Sequence, residues 1–381
     1  MDKKLQSGFS LVEILVGLVI GLLAMLAIFQ TLALFESQRR TTGAGADMQQ
    51  NGLAAMYALE QDIRLGGFGL IKVGQTVNNV SQPGSIPCQK IDAFGSTQSV
   101  FQSIPIRIQD GGTGLSDTLI TARLDSDLGG VATGAARAFL SAAATSSTTS
   151  LTVDTGRGLK ANDFILLSGG TDCTLLQVDS AYSYATVDPT AVTVKSATNP
   201  AGDATVTPSA QSYPAGAEVI DIGQGNRLTT STYSVSAGNL VQSDNNAAAV
   251  TPQAANIVNI QAQYGVAPAG SQSVNCWTDA KGSACSPASG DWAAPTVADY
   301  QRVKAIRVAV VARSGLKEKP RVGTTCDATP TAPLTWPSSG LPAGSSNPPA
   351  IDLSADPNWK CYRYRVYWTV VPLRNVIWGN L

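Results

Sequence analysis

Residues 8–35 of this 381-residue chain read GFSLVEILVGLVIGLLAMLAIFQTLALF, and from residue 14 to residue 35 they contain no charged side chain. As an α-helix, residues 14–35 would be about 33 Å long, which is enough to cross a bilayer core of about 30 Å. Lys3 and Lys4 precede this run. The short N-terminal end is therefore predicted to stay in the cytoplasm and the remainder to be exported.

Two simple interpretations account for part of this pattern. An ordinary signal peptide would be cleaved after Ala44-Gly45-Ala46, but the apolar run is longer than the h-region of about 7–15 residues that such peptides have. A plain single-span anchor accounts for the length but not for Glu13. A carboxylate near the start of an apolar span costs about 2–3 kcal/mol on insertion scales, so Glu13 indicates a partner or a specific role.

The string from Gly8 to Glu13 resembles the class III signal of type IV prepilins and of type II secretion pseudopilins. The resemblance implies that a membrane aspartic protease cleaves between Gly8 and Phe9, that Phe9 is then N-methylated, and that Glu13 is kept for assembly. In a packed filament the Glu13 carboxylate of one subunit would neutralise the Phe9 amine of its neighbour, because a charge pair attracts strongly where the dielectric constant is low.

A second helical pattern covers residues 48–65. Apolar or small residues recur at intervals of three or four along one face: Met48, Gly52, Met56, Leu59 and Ile63. A more polar face is predicted for Asp47, Asn51, Ala55, Ala58 and Asp62. Gly66-Gly67 is expected to end the helix, because glycine adopts the left-handed conformation at little cost.

The rest of the chain is predicted to be β-rich, since 36 Gly and 20 Pro indicate many turns and a charged fraction of 14% does not suit a helical bundle. The strand candidates are Thr118–Leu124, Ser150–Val153, Phe164–Ser168, Thr174–Val178, Ala217–Ile222, Ile257–Tyr264, Val303–Arg313 and Trp359–Val371. Residues 131–149, 242–256 and 323–358 are expected to be loops or insertions. The predicted fold class is α+β and type IV pilin-like, with a long N-terminal helix packed on an antiparallel β-sheet body that carries large loop insertions.

The last strand candidate has a marked alternation. Tyr362, Tyr364, Val366, Trp368 and Val370 alternate with Arg363 and Arg365. A face of this kind serves either to bind a ligand or to pack on the long helix, and we expect the packing role.

Six cysteines bear on the body: Cys88, Cys173, Cys276, Cys285, Cys326 and Cys361. None forms a CxxC pair, which argues against zinc ribbons and thioredoxin-like motifs. In an exported chain an even number predicts up to three disulfides, with fifteen possible connectivities. Cys276–Cys285 is the first expectation because the two are close in sequence, and Cys326–Cys361 would close the loop at 323–358. Cys88–Cys173 is then left by elimination.

The composition excludes several function classes. The chain has no His, which excludes Ser-His-Asp triads and His-containing metal sites, and we identify no catalytic residue, metal site or cofactor site. The formal net charge is −1, so no basic field indicates nucleic acid.

Three segments are similar to PilW-type minor pilins. Residues 363–375, RYRVYWTVVPLRN, resemble the end of that family; residues 59–69, LEQDIRLGGFG, resemble its helix end; and residues 303–314 resemble its penultimate strand region. The resemblance covers residues 1–70 and about 300–375. Residues 75–300 carry no motif that matches.

The resemblance implies a structural minor pilin, not an enzyme, that helps prime pilus assembly and is incorporated in the fibre at its tip. It divides the chain into a leader (1–8), a transmembrane half of the helix (9–35), an amphipathic half (36–67) and a periplasmic or extracellular body (68–381). The protein would cross the inner membrane once, with its body in the periplasm, and later reach the cell surface in a pilus that supports motility and adhesion. Its partners would be other minor pilins, the major pilin, a tip adhesin, the prepilin peptidase and the inner-membrane assembly platform.

Two other functions stay open at this point. A J-type pseudopilin of a type II secretion system shares the N-terminal signal, and the neighbouring genes would separate it from a minor pilin. The body is alternatively an adhesin module with its own ligand. An assay of binding to surfaces or DNA at varied salt concentration would detect such an activity.

The signal at Gly8-Phe9 predicts a mature chain that begins at methylated Phe9 and keeps its membrane span. Mass spectrometry of the N-terminal peptide, from protein purified out of the native membrane, measures both the start and the methyl group. A mature chain that starts near Asp47 would show an ordinary signal peptide and contradict the prepilin interpretation.

Overall fold

The computed structural model describes most of the chain. The described residues are 10–71, 75–77, 80–82, 90–92, 104–124, 137–168, 172–183, 190–196, 211–223, 228–244, 249–318, 325–329, 334, 336–338 and 340–379.

The described residues form three α-helices, one short 3-10 helix and a series of mostly short strands. The helices are α1 (Leu11–Leu65), α2 (Val297–Arg302), the 3-10 helix Trp359–Cys361 and α3 (Arg374–Gly379). The strands are β1 (Gln75–Val77), β2 (Val80–Gln82), β3 (Lys90–Asp92), β4 (Ile106–Gln109), β5 (Thr118–Leu124), β6 (Arg137–Phe139), β7 (Ala144–Thr145), β8 (Ser150–Thr152), β9 (Phe164–Ser168), β10 (Asp172–Val178), β11 (Ala191–Ser196), β12 (Ser212–Tyr213), β13 (Glu218–Gly223), β14 (Leu228–Ser236), β15 (Asn239–Asp244), β16 (Thr251–Ala255), β17 (Ile257–Val266), β18 (Cys276–Thr278), β19 (Val303–Arg313) and β20 (Tyr364–Pro372).

Helix α1 is a single element of 55 residues. It ends where the glycine pair predicts: the Gly66 N–H donates to the Ile63 carbonyl, and Gly67 has a φ of +77°. A residue with a side chain is strained at that φ, so glycine sets the end of the helix. Glu60 and Arg64 form an i,i+4 ion pair on its surface.

Three sheets make up most of the body. The C-terminal sheet has the order β18-β17-β19-β20, a five-stranded sheet has the order β16-β15-β14-β5-β4, and a seven-stranded sheet contains β6, β13, β9, β10, β11, β8 and β3. Every described strand pair is antiparallel except β3–β10, which is parallel. The α+β class with a long N-terminal helix on an antiparallel body is therefore confirmed.

The second half of α1 packs on the C-terminal and five-stranded sheets. The predicted apolar face is confirmed, since its five members are all buried: Met48, Gly52, Met56, Leu59 and Ile63. The predicted polar face is wrong at two positions, because Ala55 and Asp62 are also buried. The sheets contact more of the helix surface than the single apolar face that the sequence predicts. The small Ala55 side chain and the hydrogen-bonded Asp62 carboxylate both fit in this contact.

The alternation along β20 has the opposite orientation to the one we expected. Tyr367 and Val371 belong to the core on the α1 side of the sheet, whereas Tyr364 and Val366 pack on the far side around Trp336. The expectation that the aromatic set packs on the helix is therefore wrong. The odd-numbered residues of β20 include the polar Arg365 and Thr369. For this reason the sequence pattern did not identify Tyr367 and Val371 as residues that pack in the core beside the helix.

The chain between β5 and β14 forms an inserted module. β5 and β14 are hydrogen-bonded neighbours in the five-stranded sheet, with Leu124 opposite Leu228, yet strands β6–β13 lie between them in sequence. These strands enclose a core of their own that includes Leu151, Ile165 and Val219. The module is thus a second layer built onto the sheet that packs on α1.

The module is held to the end of α1 by one arginine and a small apolar cluster. Arg137 donates from Nη2 to the carbonyls of Gly69 and Ile71, both at 2.9 Å, and pairs with the buried Glu218. Leu70 and Leu124 pack in one cluster with residues of the module.

Most strand candidates are confirmed, three of them to the residue: Thr118–Leu124, Phe164–Ser168 and Val303–Arg313. The loop assignments for 131–149 and 242–256 are wrong in part, because β6, β7 and β16 lie within them. Short strands rich in Ala, Ser and Thr lack the apolar alternation that identifies a strand from sequence. Likewise, the first residues of the Trp359–Val371 candidate form the 3-10 helix Trp359–Cys361 instead of a strand.

The contact between Gly52 and the Tyr367 ring is a test of the helix–sheet packing. A Cβ at Gly52 would overlap the ring, so Gly52→Ala should lower the free energy of unfolding by about 1–3 kcal/mol. Gly43→Ala is the matched control, since no atom lies within 4 Å of its added Cβ and the helix propensity of Ala should give a gain of up to about 1 kcal/mol. Denaturant unfolding of the full chain in detergent measures both. Equal effects of the two variants would contradict this packing.

Candidate functional site

The first half of α1 has the composition of a membrane span. Residues Leu11–Leu32 form a helix long and apolar enough to cross a bilayer, and their side chains are exposed along its length. Glu13, in the first turn, is the one charged residue of this stretch. An apolar helix with no covering in its own chain requires lipid or the helices of other subunits around it.

Glu13 sits where the helix begins. Its backbone N–H donates to the Ser10 carbonyl at 2.9 Å, and its side chain is exposed. Gly8 and Phe9, the predicted cleavage and methylation positions, lie outside the described residues. Glu13 therefore lies in the first turn of α1, four residues after the predicted new N-terminus in sequence, and its side chain is accessible to groups outside its own chain.

A buried polar cluster locks the second half of α1 to the five-stranded sheet. Asp62 accepts a hydrogen bond from the Tyr233 hydroxyl at 2.7 Å and pairs with Arg123 at 3.1 Å. Burial raises the pKa of Tyr233 far above its ordinary value, and the Asp62 carboxylate adds to this effect. Tyr233 therefore stays a neutral donor, and Asp62 keeps two partners on two strands.

The end of α1 is closed by the C-terminal tail. The Asn375 side-chain amide donates to the Gly66 carbonyl at 3.0 Å, while the Gly67 N–H donates to Ala122 at 2.7 Å. These bonds satisfy carbonyl and amide groups at the helix end that have no partner inside the helix. The segments 59–69 and 363–375, far apart in sequence, thus meet at one point of the fold.

Two disulfides lie in the C-terminal part. The structure joins Cys276 to Cys285, with Cα atoms 5.7 Å apart, and Cys326 to Cys361, with Cα atoms 4.7 Å apart. Cys173 is buried and disulfide-bonded, and Cys88 lies outside the described residues.

Arg302 supports the loop that the first disulfide closes. It donates to the Cys285 carbonyl at 3.0 Å, to Ser286 at 2.9 Å and to Ala267 at 3.2 Å. The loop is therefore tied to the start of β19 by hydrogen bonds as well as by the bridge.

One cluster was missed by the sequence reasoning. The Arg307 guanidinium lies 4.5 Å from the centre of the Trp336 ring and 5.3 Å from that of Trp368, on the face of the C-terminal sheet that points away from α1. Arg307 is 4% exposed, and burial lowers its pKa. The sequence pattern predicts that Arg307 and Trp368 lie in two separate strands. Only the register between these strands brings both side chains next to Trp336.

Within the described part of the chain, no group of three or more His, Cys, Asp or Glu side chains is placed to hold a metal ion.

Comparisons with known proteins match both ends of the chain. Residues 3–29 match the prokaryotic N-terminal methylation motif, and residues 223–375 match the family described as Type IV Pilus-assembly protein W. The chain therefore carries the N-terminal signal of prepilins together with a PilW-type C-terminal region. The second match begins at the end of β13, where the inserted module ends. Residues 223–300 therefore lie in the matched region, and the expectation that residues 75–300 match nothing is wrong for that part.

Among solved structures, a type IV-like pilin from Thermus thermophilus matches at 10% identity and a TM-score of 0.32, over 87% of this chain and 97% of that one. This similarity is too distant to carry a conclusion about function. No curated protein shows significant similarity to the sequence.

The two described disulfides should differ in their contribution to stability. They span sequence separations of 9 and 35 residues, so loop entropy predicts a loss of about 3 kcal/mol for Cys276→Ser/Cys285→Ser and about 4 kcal/mol for Cys326→Ser/Cys361→Ser. Denaturant unfolding of each double variant, with non-reducing peptide mapping of the unaltered chain, measures this. Free thiols in the exported protein would contradict the pairing.

Proposed function

We propose that the chain is a minor pilin of the type IV pilus, a structural subunit that helps prime pilus assembly and is incorporated at the tip of the fibre. The single observation that carries this proposal is the construction of α1. Its first half is an exposed apolar span with one carboxylate, and its second half is locked into a body whose C-terminal part is of the PilW type.

This construction suits a subunit that moves from a bilayer into a filament. The span from Leu11 to Leu32 is solvated by lipid before assembly and by the equivalent helices of neighbouring subunits afterwards, so little apolar surface meets water in either state. The body is carried along because Asp62, Gly52 and the helix end are fastened to the sheets.

Glu13 supplies the step that distinguishes assembly from simple anchoring. Cleavage after Gly8 creates a positive amine at Phe9, and a filament core of low dielectric constant penalises any charge that is buried alone. Pairing of Glu13 with the amine of an adjacent subunit removes both penalties. The same pairing aligns neighbouring helices, because each bond relates two fixed positions on two subunits.

Each part of the chain has its own role in this function. Residues 1–8 are the leader removed by the prepilin peptidase, 9–35 cross the inner membrane, 36–67 form the amphipathic half of the helix, and 68–381 form the periplasmic and later surface-exposed body. Other minor pilins, the major pilin, a tip adhesin and the assembly platform are the proposed partners. The match to the PilW family supports a pilus over a type II secretion system.

The inserted module favours a second role at the tip. It has its own core, and the described strands β6–β12 lie outside both family matches. A module added to a frame of the PilW type is suited to contact a surface or ligand, which would make the subunit a pilus-borne recognition protein in addition to an assembly factor.

Replacement of Glu13 tests the proposed function. Glu13→Ala should be cleaved normally after Gly8, because the cut precedes the change, but the unpaired Phe9 amine would cost about 3–5 kcal/mol on burial in the filament. Recovery of the variant in sheared pili should fall by at least about tenfold, while the processed protein in membranes stays constant. Glu13→Asp, which keeps the charge, is the control and should recover part of the assembly. Normal recovery of Glu13→Ala in pili with a normal pilus number would refute the assembly role.

A further inference from the structure

The C-terminal sheet has two edges, and the chain covers one of them. At the β18 edge, the Trp277 N–H donates to the Ser345 hydroxyl at 2.9 Å, and the Trp277 carbonyl accepts from the Ser346 N–H at 2.7 Å. A loop of the same chain therefore satisfies the backbone groups that β18 turns outward.

No described residue covers the β20 edge. β20 pairs only with β19 among the described strands, and the register places Val370 opposite Arg307 and Trp368 opposite Ala309. Just outside the two strands, the Ser314 N–H donates to Arg363, and the Leu373 N–H donates to Lys304. In an antiparallel pair the hydrogen-bonded residues alternate, so residues 363, 365, 367, 369, 371 and 373 turn their backbone groups toward β19.

The residues between them turn the N–H and C=O groups outward: Tyr364, Val366, Trp368 and Val370. The described residues show no backbone hydrogen bond to this row from another element. Trp368 is 45% exposed and Val370 is 42% exposed, so the row is accessible at its C-terminal end.

Proteins normally protect open edges with proline, charge or a covering segment. The edge strand β16 of the five-stranded sheet contains Pro252, and β18 is covered, but β20 has no proline before its last residue, Pro372. An open row that ends in two exposed apolar side chains is the feature that strand addition by another chain requires.

Basic residues predominate at this edge, where Glu318 is already paired with Arg363. The sequence has no acidic residue after Asp356, whereas four basic residues follow it: Lys360, Arg363, Arg365 and Arg374. Arg365 is exposed on the α1 side of β20, the face opposite to that of Trp368 and Arg307. A carboxylate is the best partner for a guanidinium in such a position.

We propose that β20 is a docking edge, to which an extended segment of another pilus subunit adds as a further strand and brings carboxylates toward Arg365 on the α1 side of the sheet. The partner segment alternates apolar residues, which cover Trp368 and Val370, with carboxylates. The identity of the partner as a pilus subunit rests on the proposed function.

A second copy of this chain does not fit the edge. Antiparallel pairing of β20 with its own copy would bring Arg365 on one chain toward the arginines of the other, and the nearby acidic residues are already paired, Glu318 with Arg363 and Asp356 with Arg313. Like charges across adjacent strands are destabilising. The edge therefore selects a chain of different, acidic sequence.

The test uses the full chain in piliated cells, with the photo-crosslinking residue p-benzoyl-phenylalanine in place of Trp368. Irradiation should join the chain to another subunit that carries a prepilin-type signal, at an extended segment that contains Asp or Glu. The same crosslinker at Val250, which is 59% exposed and lies outside β20, is the positional control and should give no such product.

Two substitutions at Val370 separate backbone pairing from simple contact. Val370→Pro removes the outward N–H without removing a β19–β20 hydrogen bond, and should lower the crosslink yield about tenfold. Val370→Thr keeps the N–H and the strand propensity and should leave the yield within about twofold. Non-reducing mapping of the Cys326–Cys361 bridge in each variant verifies that the sheet is folded. Arg365→Gln should also lower the yield, and so should high salt.

Four outcomes would overturn the docking edge: equal yields for Val370→Pro and Val370→Thr, a product with a second copy of this chain, a product at a segment without acidic residues, or no product above the Val250 control although the chain is present in pili. Absence of the chain from pili is a different result. It would overturn the proposed function and the identity of the partner with it.

Discussion

The structure depends on the close contact between the second half of α1 and the C-terminal sheet. Gly52 presents no side chain, so the Tyr367 ring lies directly on the helix backbone, and Met56, Leu59 and Ile63 follow it into the same core. Apolar burial of this kind is the main stabilising term in a folded domain. The polar contacts at Asp62 and Asn375 then determine the position of the helix along the sheet, because each has only one acceptable set of partners.

That contact allows one helix to serve two environments. The buried half transmits any force or displacement to the body, while the apolar half stays free for lipid or for neighbouring helices. The division also explains the placement of the polar residues. Glu13 lies at the far end of the exposed half, where we propose that it meets a partner from another chain, and the buried carboxylate Asp62 lies where its own chain supplies Tyr233 and Arg123.

The inserted module extends from the sheets that pack on α1 without changing them. The inserted module leaves and returns through two adjacent strands, so its addition requires no change in the sheet that packs on α1. The Cys326–Cys361 disulfide holds the C-terminal segment that covers one face of the C-terminal sheet. At the edge of the same sheet, β20 pairs only with β19 among the described strands. The proposed assembly and recognition roles therefore lie on different surfaces of one fold.

The sequence alone determined the parts that follow from local patterns: the apolar span, the place of Glu13, the buried face of α1, its end at Gly66-Gly67 and the strands with strong apolar runs, such as Val303–Arg313. It did not determine the burial of Ala55 and Asp62, the short strands rich in Ala and Thr, or the face of β20 that meets the helix. These features depend on which elements pack together, and period-2 alternation is the same whichever face is inside. The Arg307 cluster and the open β20 edge likewise arise from strand order and register, which join residues distant in sequence and which only the tertiary structure decided.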